Sequence, residues 1–225
     1  MIHVEEAKDR YRIKAEKNGT NDNLTTDNYR FCLNFNESQN KFLTLHLQQR
    51  GVDDIRYIQK FLVLDEKIPA EKIAENKINF KLPLYKNKQL NYFDLASARA
   101  KAVKGNCRDI IDLTEIKTEN LIEILGNEFI KPSFEWREAP YTINSDNLSI
   151  YVDNFKVDEL LLNYYRYPNQ LRLVDPEDPE SGFDSNSKIE WDDKSLDDII
   201  SLMVFNFDVN QNNPRFQLQT LRAQK

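Results

Sequence analysis

The segment from Lys131 to Pro168, KPSFEWREAPYTINSDNLSIYVDNFKVDELLLNYYRYP, constrains the fold more than any other part of the chain. Its apolar residues recur at every second position, which is the repeat of a strand and not of a helix. Strands are expected at about 138–144 and 147–153. In the second, Leu148, Ile150 and Val152 share one face, and Ser149, Tyr151 and Asp153 share the other. From Val157 to Tyr167 the pattern loses its polar face. Leu160, Leu162 and Tyr164 stand opposite Leu161, Tyr165 and Tyr167. A strand that is apolar on both sides must be buried on both, or must close an interface.

Helical periodicity lies on either side of this β-region. Residues 4–17 place Val4, Ala7, Tyr11 and Ala15 on one side of a helix. Thr25, Thr26 and Asp27 offer caps for a long helix reaching Arg50, with Phe31, Phe35, Phe42 and Leu45 in its stripe and Gly51 at its end. A third helix is expected from Asp53 to about Val63. Ser195 and Asp198 start another, carrying Leu196, Ile199, Ile200, Met203 and Phe207, and Asn213-Pro214 opens a last turn or two. Ile78, Phe80, Leu82 and Leu84 alternate as a strand. Residues 95–116 are compatible with an alanine-rich helix, but a hairpin about Gly105-Asn106 explains more. It sets Arg99 opposite Asp112, Ala98 opposite Leu113 and Ala100 opposite Ile111, so that like meets like on each face. Thr118 begins a short helix with Leu121, Ile122 and Leu125, closed by Gly126.

These elements predict an α+β fold: a helical bundle from the N- and C-terminal segments with an inserted antiparallel β-domain. The expected divisions are a helical segment at 1–66, a β-rich domain with a short helix at 67–174, an acidic loop at 175–194, and a C-terminal helical segment at 195–225 packing with or near the first.

Composition narrows the function. Only 5 glycines occur in 225 residues, which disfavours the glycine-rich loops that cradle phosphates. Cys32 and Cys107 are distant and unpatterned, and are expected to be reduced thiols of a protein made in a cytoplasm. No apolar run approaches the length of about 18 residues that marks a membrane span. Residues 1–104 carry a net charge of +5 and residues 105–225 one of −11. Such a polar subunit could stack head-to-tail or hold a partner of opposite sign.

Nothing in the pattern supports catalysis, a metal or a cofactor. His3 and His46 have no partner at metal-ligand spacing. The acidic stretch at 175–184 lacks the rhythm of a calcium loop and reads as solvated. The cluster Tyr164-Tyr165-Arg166-Tyr167 has residues that could stack bases, but Tyr and Arg are also enriched in subunit interfaces, and the strongly acidic surroundings favour the latter. Arg99, Lys101 and Lys104 are the better candidates to face DNA.

The order of the segments resembles the connector or ring proteins of short-tailed bacteriophages, and most of all the structural ring proteins of crAss-like phages. The resemblance rests on the helix DNYRFCLNFNESQNKFLTLHLQQRG, on FEWREAPYTI and NYYRYP, and on the terminal SLDDIISLMVFNF. It implies a virion protein of the neck or tail, synthesised in the host cytoplasm. Such a protein forms a homo-oligomeric ring, a dodecamer, that joins the portal to adjacent tail ring proteins and passes double-stranded DNA through its channel. It implies no cofactor; the lack of a catalytic pattern and of a long apolar run adds the expectation of no enzyme activity and no membrane. Two features depart from the pattern: bulky Val204, Phe205 and Phe207 near the end, and a loop after Pro168 poor in glycine. On this reading Trp136, Arg137, Tyr164, Tyr165, Arg166 and Tyr167 are ring contacts, and Phe216 and Arg222 dock on a neighbouring ring. The alternative is a DNA-contacting module of a viral or bacterial assembly, acting through Arg99, Lys101 and Lys104.

Overall fold

The computed structural model describes residues 2–17, 27–49, 56–74, 76–83 and 92–210. The chain divides into two compact units, one joining residues 1–60 to 168–225 and the other comprising residues 61–167.

In the first unit, helices α1 (Val4–Lys17), α2 (Asn28–Gln49) and α4 (Asp193–Asn210) bury most of the apolar stripes expected of them, but Leu45 of α2 is exposed and the Phe207 side chain lies outside the described residues. Tyr11, Phe31, Phe35, Leu43, Leu196 and Ile199 are almost completely removed from solvent. Asp27 opens α2 by accepting a hydrogen bond from the Arg30 N–H at 2.6 Å. Much of the remaining core comes from the irregular stretch that precedes α4. Leu171, Leu173, Ile189 and Trp191 are buried, and Phe183 packs edge-on against Phe31. Irregular backbone brings polar groups that no helix or ladder satisfies. Side-chain amides of α2 satisfy several of them. The Asn36 amide donates to the Leu171 carbonyl at 3.0 Å, and its oxygen accepts from the Leu171 N–H at 2.9 Å. The Asn28 amide donates to the Ser181 carbonyl, and the Gln39 amide to that of Asn169. Buried Gln39 also accepts the Trp191 indole N–H at 3.0 Å. The acidic stretch at 175–184, expected as a solvated loop, is ordered by its own carboxylates. Asp175 and Asp178 accept the N–H groups of Glu177 and Glu180, and Leu173 bridges Phe183.

The second unit is an eight-stranded sheet: β1 (Leu62–Pro69), β2 (Lys72–Ala74), β3 (Lys77–Lys81), β4 (Tyr92–Lys104), β5 (Cys107–Glu115), β6 (Glu138–Asn144), β7 (Asn147–Tyr151) and β8 (Lys156–Arg166). The spatial order is β1-β8-β4-β5-β6-β7-β3-β2. The sheet curls, bringing Cα atoms of β1 and β3 within 8 Å although they stand far apart in that order. One face encloses a core that includes Ile78, Phe80, Ala100, Ile111, Leu148, Ile150, Leu160, Leu162 and Tyr164. The β4–β5 hairpin has the expected pairs Arg99–Asp112 and Ala100–Ile111, with Lys104 and Cys107 closing the turn. Gly105 takes a φ of 60° while Asn106 keeps an ordinary φ, as a turn with glycine at its first central position requires.

The expected architecture needs correction. The protein is a mixed α/β chain dominated by the curled sheet, not a helical bundle with an inserted antiparallel β-domain. The third helix does not continue to Val63. A short 3-10 turn at Gln59–Phe61 leads directly into β1, because Leu62 to Ile68 supply the partner that β8 needs along one edge. Nor is the sheet antiparallel throughout, since β5 and β6 run parallel. A parallel pair needs a crossover, and residues 116–137 form it, including α3 (Leu121–Gly126).

Gly105→Ala should cost about 1–2 kcal/mol through left-handed backbone strain alone, since no atom lies within 4 Å of the added methyl. Gly126→Ala meets equally open space at an ordinary φ and should be neutral or slightly stabilising. Urea unfolding midpoints of the two variants test the contrast.

Candidate interaction surface

The crossover between β5 and β6 is an apolar arm on a rigid root. At the root, the Asp112 N–H donates to the Arg137 carbonyl at 2.8 Å and the Ile116 N–H to that of Tyr141 at 2.9 Å. Ser133 and Glu138 exchange main-chain hydrogen bonds at 2.9 and 3.1 Å. Phe134 packs on the buried Phe155 ring. Lys131 pairs with Asp153 at 3.6 Å and Lys104 with Glu135 at 2.5 Å. The Lys104 ammonium holds the Glu135 carboxyl below the usual carboxylate range.

Beyond that root, apolar side chains face water. Ile122 is 86%, Phe129 96% and Trp136 82% exposed, and Leu125 and Ile130 are also open. The crossover helix of a parallel unit ordinarily covers the sheet. Here α3 buries no residue and has no side-chain N-cap. Isolated helices shorter than about 12 residues are marginal in water, and α3 has only 6 residues and no apolar face packed on the sheet. The tip is also one-signed: Glu119, Glu123 and Glu128 lie between residues 118 and 130, with no Lys or Arg among them.

A local turn holds Trp136 out in solvent. Its N–H donates to Ser133 Oγ at 3.2 Å, and the next residue, Arg137, turns back with a φ of 57°. Left-handed backbone at a residue other than glycine costs about 1–2 kcal/mol. The Arg137 guanidinium returns to Asp109 at 2.9 Å.

The other residues singled out from sequence fall elsewhere. Tyr164 and Tyr165 are buried within their own unit. Tyr164 donates its hydroxyl to Glu66 at 2.5 Å, and burial raises the Tyr165 phenol, with Asp94 adding to the effect. The Arg166 guanidinium lies 5.2 Å from the centroid of Phe61, and Tyr167 stands edge-on to Phe93 at 4.8 Å. The run is therefore the packed end of a strand. Arg99 pairs with Asp65 at 2.7 Å, Lys101 with Glu159, and Lys104 with Glu135. Each cation of the proposed DNA-facing set already has a carboxylate. Phe216 and Arg222 lie outside the described residues. His46 packs its ring on Phe42 and Tyr57. The opposite charges of the two sequence halves do not map onto the two units. Residues 61–167 carry 15 Lys and Arg against 17 Asp and Glu, and the other unit carries 16 against 20.

Of the apolar arm, sequence reasoning found Trp136 and missed Ile122, Phe129 and Ile130. The available signal was a helix too short to stand alone, within a stretch, residues 118–130, that carries three carboxylates and no Lys or Arg. No protein-family model and no curated protein sequence matches the chain.

Ile122→Ser, Phe129→Ser and Trp136→Ser should each change the stability of the isolated subunit by no more than about 0.5 kcal/mol, as at open surface positions. Tyr164→Phe should cost about 1–3 kcal/mol, because Glu66 loses the donor that points at it. Chemical denaturation of the four variants in dilute solution compares them.

Proposed function

We propose that this chain is a structural subunit of a closed homo-oligomeric ring in the neck or tail of a short-tailed bacteriophage. In this reading the ring joins the portal to downstream tail components and surrounds the DNA channel. The resemblance of FEWREAPYTI and NYYRYP to such ring proteins supplies the class. The exposed arm at residues 118–137 is the observation that carries it, because a subunit of an assembly has a use for such a feature. The largest apolar patch on a typical monomer is about 300–600 Å² and is often functional. Aromatic side chains bury about 150–250 Å² each, so Phe129 and Trp136 alone approach that range.

A ring is built from a heterologous contact repeated until it closes. One side of that contact must project and the other must receive. The arm suits the projecting role: its root is fixed by the sheet, and its tip is apolar and acidic. The receiving surface is then apolar with basic or neutral edges, on the next copy of this chain. Trp136 and Arg137 retain the contact role expected of them, while Tyr164 to Tyr167 stiffen the strand from within. The reading assigns no catalytic step and no cofactor.

The DNA-contacting alternative draws no support from Arg99, Lys101 and Lys104. Their partners Asp65, Glu159 and Glu135 neutralise them, and affinity for a duplex depends on cations that displace counterions from phosphate. A channel wall of mixed or acidic charge serves passage, since it does not retain what passes.

The mass of the purified chain, alone and with a portal, tests the proposal. A closed oligomer is expected, either free or on the portal. The combined variant Ile122→Ser, Phe129→Ser, Trp136→Ser should stay a folded monomer in both settings. A wild-type chain that remains monomeric with and without the portal overturns the ring. A ring unaffected by the triple variant removes the arm from its interface.

A further inference from the structure

Away from the arm's apolar tip, the outer face of β6, β7 and β3 holds a polar cleft of about 640 Å³. Pairing in register puts its side chains together. Asn79 stands opposite Ser149 and Ser149 opposite Thr142, Lys77 stands opposite Tyr151, and Asn144 stands opposite Asn147. The alternate residues Ile78, Leu148, Ile150 and Tyr141 point into the core. On a flat, solvated sheet face, hydroxyl side chains would be open to water. Here Thr142, Ser149 and Tyr151 are buried at the floor, beneath a rim of Glu71, Thr118, Asn144 and Ser145. The floor is preorganised. The Ser149 hydroxyl donates to Asn79 Oδ1 at 2.9 Å, and the hydroxyls of Thr142 and Tyr151 share a contact of 3.3 Å.

The lining defines a ligand class by elimination. Hydroxyls and carboxamides each both donate and accept. Three Asn side chains and the hydroxyls of Thr118, Thr142, Ser145, Ser149 and Tyr151 make a surface of alternating donors and acceptors. An apolar ligand would need walls of apolar residues, and the described lining residues are all polar or charged. A phosphate or nucleic acid would need several cations, and among the described residues that line the cleft Lys77 is the one cation, beside Glu71. An extended peptide would add to a sheet edge, whereas this is a sheet face. We infer that the cleft is a binding site for a neutral glycan of di- or trisaccharide size. Carboxamides at such a site engage adjacent ring hydroxyls in pairs, and Lys77, whose ammonium lies 5.7 Å from the centroid of the Tyr151 ring, closes one wall. The inference is independent of the ring proposal, since Thr118 is the one cleft residue on the arm segment and the exposed apolar side chains Ile122, Phe129 and Trp136 are not among the lining residues.

Saturation-transfer NMR on the full chain tests it, because the method tolerates large assemblies and weak ligands. The probes are maltotriose, mannobiose and N,N′-diacetylchitobiose, with inorganic phosphate and a thymidine oligonucleotide as competitors. At least one saccharide should give a saturable signal with a Kd of about 1 mM or tighter. Asn144→Ala and Thr118→Ala, both at exposed rim positions, should each weaken it by about three- to tenfold, the effect of one lost neutral hydrogen bond. The triple arm variant should bind as wild type does, whatever its oligomeric state. Absence of signal from all three saccharides overturns the proposal. So does a signal that both rim variants leave unchanged, or one that phosphate or the oligonucleotide displaces.

Discussion

Strand β8 is the constraint from which the second unit follows. Leu160, Leu162 and Tyr164 enter the enclosed core, and Leu161 and Tyr165 are buried on the opposite face. A strand with no face for water also has no edge to spare. Its ladder is filled by β1 on one side and β4 on the other, both antiparallel. β4 is the longest strand because it matches β8 along nearly its whole length, bending at register shifts near Tyr92, Leu95 and Lys101. Such irregularities increase twist and bend a strand, and a strongly twisted sheet of eight strands curls to enclose its apolar face. Tyr164 fits this geometry because its hydroxyl finds Glu66 on β1, so a large buried ring carries no unsatisfied polar atom.

The first unit rests on a different device. Its helices alone do not complete a core, and Trp191, Leu171 and Leu173 complete it from chain without regular structure. Such chain is costly to bury, because each residue brings a donor and an acceptor. Asn28, Asn36 and Gln39 on α2 meet this cost with amides that donate and accept at once. Gln39 is buried where an apolar residue would be expected from helical periodicity, and it is there because the Trp191 indole needs an acceptor. Trp191 then packs edge-on against Phe42 at 5.3 Å, with the Lys60 ammonium 5.0 Å from its ring.

What was legible in the sequence is what is local. The Gly105-Asn106 turn fixes the β4–β5 register, so Arg99 meets Asp112 as pairing by charge anticipates. Hairpin β6–β7 and the helical stripes of α1, α2 and α4 follow from periodicity alone. The balance of the fold was not legible in this way, because β1 earns its place through residues nearly a hundred positions away. Val63 and Ile68 align with Tyr164 and Leu160, and no turn between them announces the pairing. The parallel β5–β6 contact is equally silent, since its crossover resembles a loop with a short helix. At the site, the aromatic run at 164–167 drew attention by composition; packing uses Tyr164 and Tyr165 inside, while Arg166 and Tyr167 are half-buried. The exposed apolar arm has ordinary composition and declares itself only when α3 is found to cover nothing.

The arm and the cleft are opposite departures from the rule that polar side chains face water and apolar ones do not. Neither is explained by the stability of the subunit. Turning Trp136 outward uses left-handed backbone at Arg137 and a pinned turn at Ser133, and the hydrogen bonds and ion pair of that turn leave the indole itself in solvent. Burying Thr142 and Ser149 beneath a rim removes hydroxyls from water for neutral hydrogen bonds of about 1 kcal/mol net. On the readings proposed above, an apolar surface would cover the arm and a ligand rich in hydroxyls would fill the cleft. Alternation along the strands sends Thr142, Ser149 and Tyr151 to the cleft and Tyr141, Leu148 and Ile150 to the core, so one short stretch of sheet builds both a floor and a core.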